Sequence, residues 1–218
     1  MRSEHRKPPH GIEIIDAFLD PAECRELVGM ADAHEGERFK MRDRSRNMAV
    51  IEDPTRACEW MKLGDSQQVL DNLVARAFEE QVLPRSGQQI DWFEEPQLLR
   101  YTAGGFYLYH VDAYYRVPEE QAWRKSVDRD ISMLIYLNDD FEGGELEFKR
   151  FAWCLKPAAG MLVWFPSDVR YEHMALPVTS GCRYVVVSWA AASGVERVQQ
   201  DRPKRSIDWQ TREKKLPG

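Results

Sequence analysis

Apolar and polar residues follow two different periods in this chain, and the change comes near residue 90. In the first half, "GIEIIDAFLD" alternates apolar with acidic residues as a short strand does. Asp20, Pro21 and Glu23 then supply an N-cap, a first-turn proline and a capping-box partner, which predicts a helix over about residues 21 to 34. Val69, Leu70, Leu73, Val74, Ala77, Phe78 and Val82 recur at three- and four-residue intervals, predicting a second helix from Asp65 to Leu83, closed by Pro84. The polar run "RDRSRNMAVIEDPT" between the two helices reads as loop with room for one strand.

From residue 90 onward, short strands separated by turn signals are predicted at about 96 to 103, 106 to 112, 130 to 138, 145 to 150, 161 to 165 and 183 to 191. Residues 118 to 126, "PEEQAWRKS", fit a short helix inserted between strands. Helices first and then many strands with long-range pairing imply a mostly β domain whose α-helices buttress a β-sandwich or jelly-roll core. The expected organisation is a flexible leader at 1–10 and a single domain at 11–195, with a helical front part at 11–90 and the jelly-roll core at 91–195. A charged C-terminal tail follows at 196–218.

Composition sharpens this picture. A chain of 218 residues can bury a real core, roughly 70% of its unfolded surface, and most of its 24 aromatics (7 Trp, 8 Tyr, 9 Phe) fall in the strand-rich part. The formal charge of −6 disfavours polyanions, so no nucleic-acid partner is expected. Cys24, Cys58, Cys154 and Cys182 lack CxxC spacing, which argues against a zinc cluster or a disulfide framework and fits reduced thiols in a cytoplasm. No stretch of about 18 apolar residues occurs, so no membrane span is expected.

The chemistry starts in "LLRYTAGGFYLYHVDAYY", residues 98 to 115. On a strand, His110 and Asp112 share a face and can reach one small object, for which a divalent metal is the natural candidate. His173, in "SDVRYEHMALPVTSG", follows the apolar strand "MLVWFP" and could reach the same ion. Two imidazoles and one carboxylate form a facial triad with open positions, an arrangement suited to non-haem Fe(II) and oxygen chemistry. Such an iron needs a co-substrate that supplies two electrons, and a dicarboxylate keto acid needs a buried cation for its far end. Arg183 opens "RYVVVSW" and can grip a carboxylate at two points, with Val185, Val187 and Trp189 on its face. On "ISMLIYLND", Ser132, Leu134, Tyr136 and Asn138 share a face, which would line a cavity with two hydroxyls and an amide. The glycine turn in "FEGGELEF" reads as architecture leading into a strand whose Leu146 and Phe148 face the core.

With these residues in hand, the chain resembles the iron- and 2-oxoglutarate-dependent dioxygenases, in their prolyl 4-hydroxylase-like branch. Tyr101, Gly104, Tyr107, His110 and Asp112 match that branch's YxxGxxYxxHxD pattern. "RDISMLIYLNDDFEGGELEF" and "HMALPVTSGCRYVVVSW" are similar to its two later motifs, so the likeness covers about residues 12 to 191. Two departures leave the triad intact: a turn before His173 about two residues longer, and Ala175 in place of the usual valine.

The resemblance implies a double-stranded β-helix with His110, Asp112 and His173 as both metal ligands and catalytic centre. It implies that Arg183, helped by Tyr136, receives the distal carboxylate of 2-oxoglutarate, and that Tyr101, Tyr107, Leu134, Leu146 and Trp189 line the pocket. Fe(II) would be the cofactor, 2-oxoglutarate and O2 the co-substrates, and ascorbate a stimulant, with succinate and CO2 as co-products of hydroxylation. The first substrate expectation is a prolyl residue in a peptide or protein, and the second a free amino acid or other small molecule. A non-catalytic iron- and 2-oxoglutarate-binding sensor is a third reading, favoured by no residue. Nucleic-acid demethylases of the superfamily resemble a version with a second arginine six residues beyond the anchoring one, where this chain has Trp189. Residues 38 to 56 and 113 to 128 are the expected lids, being long polar connections beside the site.

Overall fold

The computed structural model describes residues 7–43 and 48–212. The leader expected at 1–10 lies outside the described residues up to position 6, as do positions 44–47 of the first lid and 213–218 of the tail.

The chain runs β1 (Glu13–Ile15), α1 (Pro21–Asp32), β2 (Gly36–Arg38), β3 (Lys40–Asp43), β4 (Ala49–Glu52), β5 (Glu59–Met61) and α2 (Gln67–Ala77), then a π turn over Phe78–Val82 and α3 (Leu83–Ser86). Strands follow: β6 (Ile90–Glu94), β7 (Gln97–Tyr101), β8 (Tyr107–His110), β9 (Tyr114–Val117), β10 (Ala122–Lys125), β11 (Ile131–Tyr136), β12 (Glu142–Gly143), β13 (Leu146–Phe148) and β14 (Trp153–Leu155). The last are β15 (Leu162–Pro166), β16 (His173–Ala175), β17 (Val178–Ser180), β18 (Arg183–Ala192) and β19 (Ser206–Asp208).

The expected capping box forms at α1: the Asp20 carboxylate accepts from the backbone N–H groups of Ala22 and Glu23, and Glu23 accepts from Asp20 N. The second helix does not stop at Pro84. The π turn over Phe78–Val82 changes the hydrogen-bond register ahead of the proline, so its missing N–H and its ring are tolerated in the first turn of α3. Gly87, at φ 66°, then ends it in the left-handed conformation that glycine adopts without cost.

The strands build a jelly roll from two antiparallel layers. The large sheet has the order β1-β15-β11-β18-β7-β5-β2, with β6 pairing the far end of β18 and β19 pairing β6. The small sheet has the order β14-β13-β16-β8. Alternation on the large sheet divides the core in two. Its outer face, including Leu98, Ile131, Met133, Ile135 and Val186, packs under Leu27, Leu70, Val74 and Phe78 of the helical layer. Its inner face, including Leu99, Val163, Phe165, Val185 and Val187, packs against Leu146, Phe148 and Ala175 of the small sheet. The functional side chains arise between the two sheets.

Two expected elements turn out otherwise. Residues 118 to 126 form no helix: β9 and β10 pair as a hairpin, with the Gln121 N–H donating to the Pro118 carbonyl across the turn. The Glu120–Arg124 pair, four apart as on a helix, is satisfied across that turn instead. The run at 42–55, read as loop with room for one strand, holds β4 and the end of β3, which pair with each other. In the segment read as a solvated tail, β19 extends the large sheet beside β6, and Trp209 is buried against the rings of Phe78 and Phe93, at 6.2 and 6.3 Å between centroids. Burying that indole contributes roughly 2 kcal/mol or more, which a solvated tail would forgo.

Candidate active site

The two histidines and the aspartate converge. His110 ends β8 and His173 opens β16, and the two are register partners in the small sheet, while Asp112 follows β8 by two residues. One donor atom from each lies within 4.8 Å of the others. His110 Nε2 is 3.5 Å from Asp112 Oδ1, and His173 Nε2 is 3.8 Å from Asp112 Oδ2. Each imidazole is oriented in the same way: Nδ1 of His110 bonds the Leu108 carbonyl at 2.9 Å, and Nδ1 of His173 bonds the Tyr171 carbonyl at 2.9 Å. A carbonyl can only accept, so Nδ1 carries the proton and each Nε2 presents a lone pair toward Asp112. Backbone carbonyls that fix the tautomer in this way are the usual support of metal-ligating histidines.

Electrostatics act in the same sense. Burial would raise the Asp112 carboxyl, but His173, His110 and Arg129 outweigh it and hold the group well below the usual carboxylate range. Burial, then the neighbouring His110 ring, lowers His173 to about 4, so its imidazole is neutral at pH 7. The site therefore offers a neutral His173 nitrogen and an anionic Asp112 oxygen beside the His110 ring.

Around this cluster lies a cavity of about 260 Å³. Tyr101, Tyr107, Leu134, Leu146, Arg183 and Trp189, all expected from the sequence, line it. The Tyr107 ring stacks on His110 at 3.7 Å between centroids. Tyr136 is not among the lining residues; its ring lies beside Arg183, whose guanidinium carbon is 5.8 Å from the Tyr136 centroid and 4.0 Å from that of Tyr101. Asn138 lies past the end of β11 and bonds the Tyr184 N–H and the Cys182 carbonyl, so its amide is spent on the backbone of the β18 entry and does not face the cavity. Among the described residues, the other histidines take no part: His34 bonds the Met30 carbonyl, and the His10 carbonyl accepts from Tyr171.

Arg183 is 2% exposed, with Nη1 donating to the Gly144 carbonyl at 2.7 Å. The glycine turn is thus more than architecture. Gly144 sits at φ 68°, and a Cβ there would lie 3.3 Å from Arg183 Cδ, so the turn needs glycine to bring its carbonyl to the guanidinium. Among the described residues, Arg183 has no acidic partner, and its Nε and the Tyr136 hydroxyl are buried without a hydrogen-bond partner. Burial pushes Tyr136 up to about 12, keeping it a donor.

Several cavity residues were not singled out from the sequence. Phe39 and Arg56 line one wall, with the Arg56 guanidinium 3.6 Å from the Phe39 centroid and Nε bound to Asp53. Arg129 stacks 3.8 Å from the Trp189 centroid, makes two bonds to Glu94 at 2.6 and 2.7 Å, and donates to the Asp112 carbonyl. Arg129 stands in the sequence only as the arginine of the second motif, three residues before Ser132, which strand parity places on the cavity face.

Residues 96–191 match the family model described as the 2OG-Fe(II) oxygenase superfamily. Over that segment the chain is similar to the superfamily. It is similar to a PKHD-type hydroxylase of Nitrobacter winogradskyi, 28% identical over 192 residues that cover 82% of this chain and 77% of the relative. It is 33% identical over 112 residues to prolyl 3-hydroxylase 2 of Homo sapiens, covering 45% of this chain but 16% of that much longer protein. The viral collagen prolyl hydroxylase of Paramecium bursaria Chlorella virus-1, solved with 2-oxoglutarate, shares the fold with a TM-score of 0.60 at 24% identity, over 83% of this chain and 96% of that one. The oxygenase is a 2-oxoglutarate-dependent dioxygenase that works with Fe(II), 2-oxoglutarate and O2. Its residues suit those groups: the donor set is hard and neutralises one charge of a divalent ion, and the unpartnered Arg183 and Tyr136 donors suit a carboxylate. Among the described residues, no helix is long and apolar enough to cross a membrane.

Proposed function

We propose that this oxygenase hydroxylates an aliphatic carbon of a prolyl residue in a peptide or protein, in the cytoplasm, releasing succinate and CO2. His110, Asp112 and His173 would hold the iron, and Arg183 with Tyr136 would bind the distal carboxylate of 2-oxoglutarate. The observation that carries the reading is the pairing of the half-buried His-Asp-His cluster with a buried, partly unsatisfied arginine lining the same cavity. An unpaired charge in such a place costs several kcal/mol unless a ligand completes it.

Iron supplies the activation of O2 when bound; the chain contributes binding, orientation and dryness. Arg183 orients the keto acid through two-point hydrogen bonding, and Val185, Val187 and Leu146 keep its stem dry. The polypeptide part of the reading rests on the two hairpins rooted beside the cavity, β3–β4 after Phe39 and β9–β10 after Asp112. They carry exposed Met41, Val50 and Tyr115, an apolar surface suited to an extended chain. The names of the relatives point the same way. Reduced thiols fit the cytoplasm, since all four cysteines are free.

The test is incubation with Fe(II), 2-oxoglutarate and either peptide or amino-acid pools, followed by mass analysis. A gain of one oxygen on a prolyl peptide with matching succinate is expected. Oxygen gained only by free amino acids would move the substrate to a small molecule. Tight 2-oxoglutarate binding with no succinate in either pool would make the protein a sensor.

A further inference from the structure

One carboxylate oxygen of Asp112 is held by a short hydrogen bond. Its side chain is 6% exposed, and Oδ2 accepts from the Ser132 hydroxyl at 2.6 Å. Ser132 Oγ in turn lies 2.7 Å from Ser167 Oγ. These three groups come from separate places in the fold: Ser132 on β11, Ser167 one residue past β15, which pairs with β11, and Asp112 after β8. Ser132 is 1% and Ser167 2% exposed, so solvent does not compete for either hydroxyl.

Proton counting fixes the direction of the chain. Ser132 Oγ donates to Asp112 Oδ2 at 2.6 Å, so its single proton is committed there. Ser132 must then accept its second contact, and Ser167 donates it. The order is Ser167 to Ser132 to Asp112. A hydroxyl that is itself receiving a hydrogen bond donates a stronger one, and a bond to a carboxylate is stronger again.

We propose that Ser132, backed by Ser167, is a positioning residue that occupies Oδ2 of Asp112, so that the carboxylate meets iron through Oδ1 alone. The inference rests on the reading of His110, Asp112 and His173 as the iron ligands. Oδ1 faces His110 Nε2 at 3.5 Å, whereas Oδ2, 3.8 Å from His173 Nε2, is already held by the Ser132 hydroxyl at 2.6 Å. Arg129 fixes the same residue from its other end through the Asp112 carbonyl at 3.3 Å, so rotation about the side chain is the remaining freedom, and Ser132 removes it. A carboxylate using both oxygens would take one coordination position more, at the expense of the keto acid or O2. Withdrawing Oδ2 keeps that position open.

The test is anaerobic titration of the full chain with Co(II), read by its visible absorption, which reports both affinity and coordination number. Wild type, Ser132→Ala, Ser132→Thr, Ser167→Ala and Asp112→Ala are compared, with circular dichroism to verify folding. One bound Co(II) is expected in wild type and none in Asp112→Ala. Ser132→Ala should bind roughly 10- to 100-fold more weakly, with shifted band positions and intensity as both oxygens engage. Ser167→Ala should move the spectrum in the same sense by less, and Ser132→Thr, which keeps a hydroxyl, should restore it. A purely structural serine would not move the spectrum. Wild-type affinity and spectrum in folded Ser132→Ala would overturn the proposal. If Ser132→Ala does not fold, an unchanged spectrum in Ser167→Ala overturns it instead. Loss of Co(II) binding in wild type, or its retention in Asp112→Ala, would sink the reading of the triad and this inference with it.

Discussion

Arg129 and Arg183 line the same cavity and are both largely buried, yet their surroundings are opposite. Arg129 makes two bonds to Glu94, covers Trp189 and holds the Asp112 carbonyl. Arg183 has one backbone acceptor, Gly144, and an Nε with nothing to bond, beside a tyrosine hydroxyl in the same position. A buried guanidinium that already has its carboxylate is scaffolding. One that lacks it fits the proposed role of receiving a ligand's carboxylate, with its unmet donors as the cost of that role.

The sharpest way to break this contrast is to remove each cation in turn. Arg183→Leu should weaken 2-oxoglutarate binding by about 3–5 kcal/mol, on the order of 100- to 1000-fold or more, measured by calorimetry with Co(II) present. The same variant should unfold within about 1 kcal/mol of wild type or above it, because an incompletely paired charge is gone. Arg129→Leu should do the reverse, losing about 2–4 kcal/mol of stability in urea because Glu94 is left without its cation, with 2-oxoglutarate binding by the folded protein expected to stay near wild type.

The third outcome concerns pH. His173 titrates near 4 in the folded protein against 6.5 when unfolded, so between those values the unfolded state binds more protons and metal-free stability rises with pH. The gain is present in full above about pH 6.5 and is lost as pH falls toward 4, by about 3 kcal/mol at most. His173→Gln should flatten that slope in denaturation curves at pH 5 and 7. The smallest effect belongs to Tyr136→Phe. Losing one neutral donor should weaken 2-oxoglutarate binding by about tenfold or less, and a change equal to that of Arg183→Leu would contradict the division of labour.

The inner wall of the cavity was legible because strands advertise their faces. Arg183, Val185, Val187 and Trp189 alternate out of β18 as period two requires, and all four line the cavity. The same logic failed at Asn138, one step beyond β11, where pleating ends and the amide turns to the backbone. What remained hidden depended on partners far away in the chain. Glu94 and Arg129 are 35 residues apart, as are Ser132 and Ser167, and no local pattern marks either pair. Trp209 looked like part of a charged tail because its polar neighbours dominate the composition, whereas its destination between Phe78 and Phe93 is set by a cleft that exists only once the helices have packed on the sheet. The β9–β10 hairpin was missed because Glu120 and Arg124 carry a helical spacing that a tight turn satisfies equally well.

The position of β18 in the large sheet bears on how the molecule is made. It sits between β11 and β7 and also pairs β6, yet it follows all three in sequence. During synthesis the edges of β11 and β7 that pair with β18 in the finished sheet are made before it. The barrel can therefore close only after residue 192 has left the ribosome, a late, long-range step that favours slow folding and makes the nascent chain a client for chaperones that cover exposed strand edges.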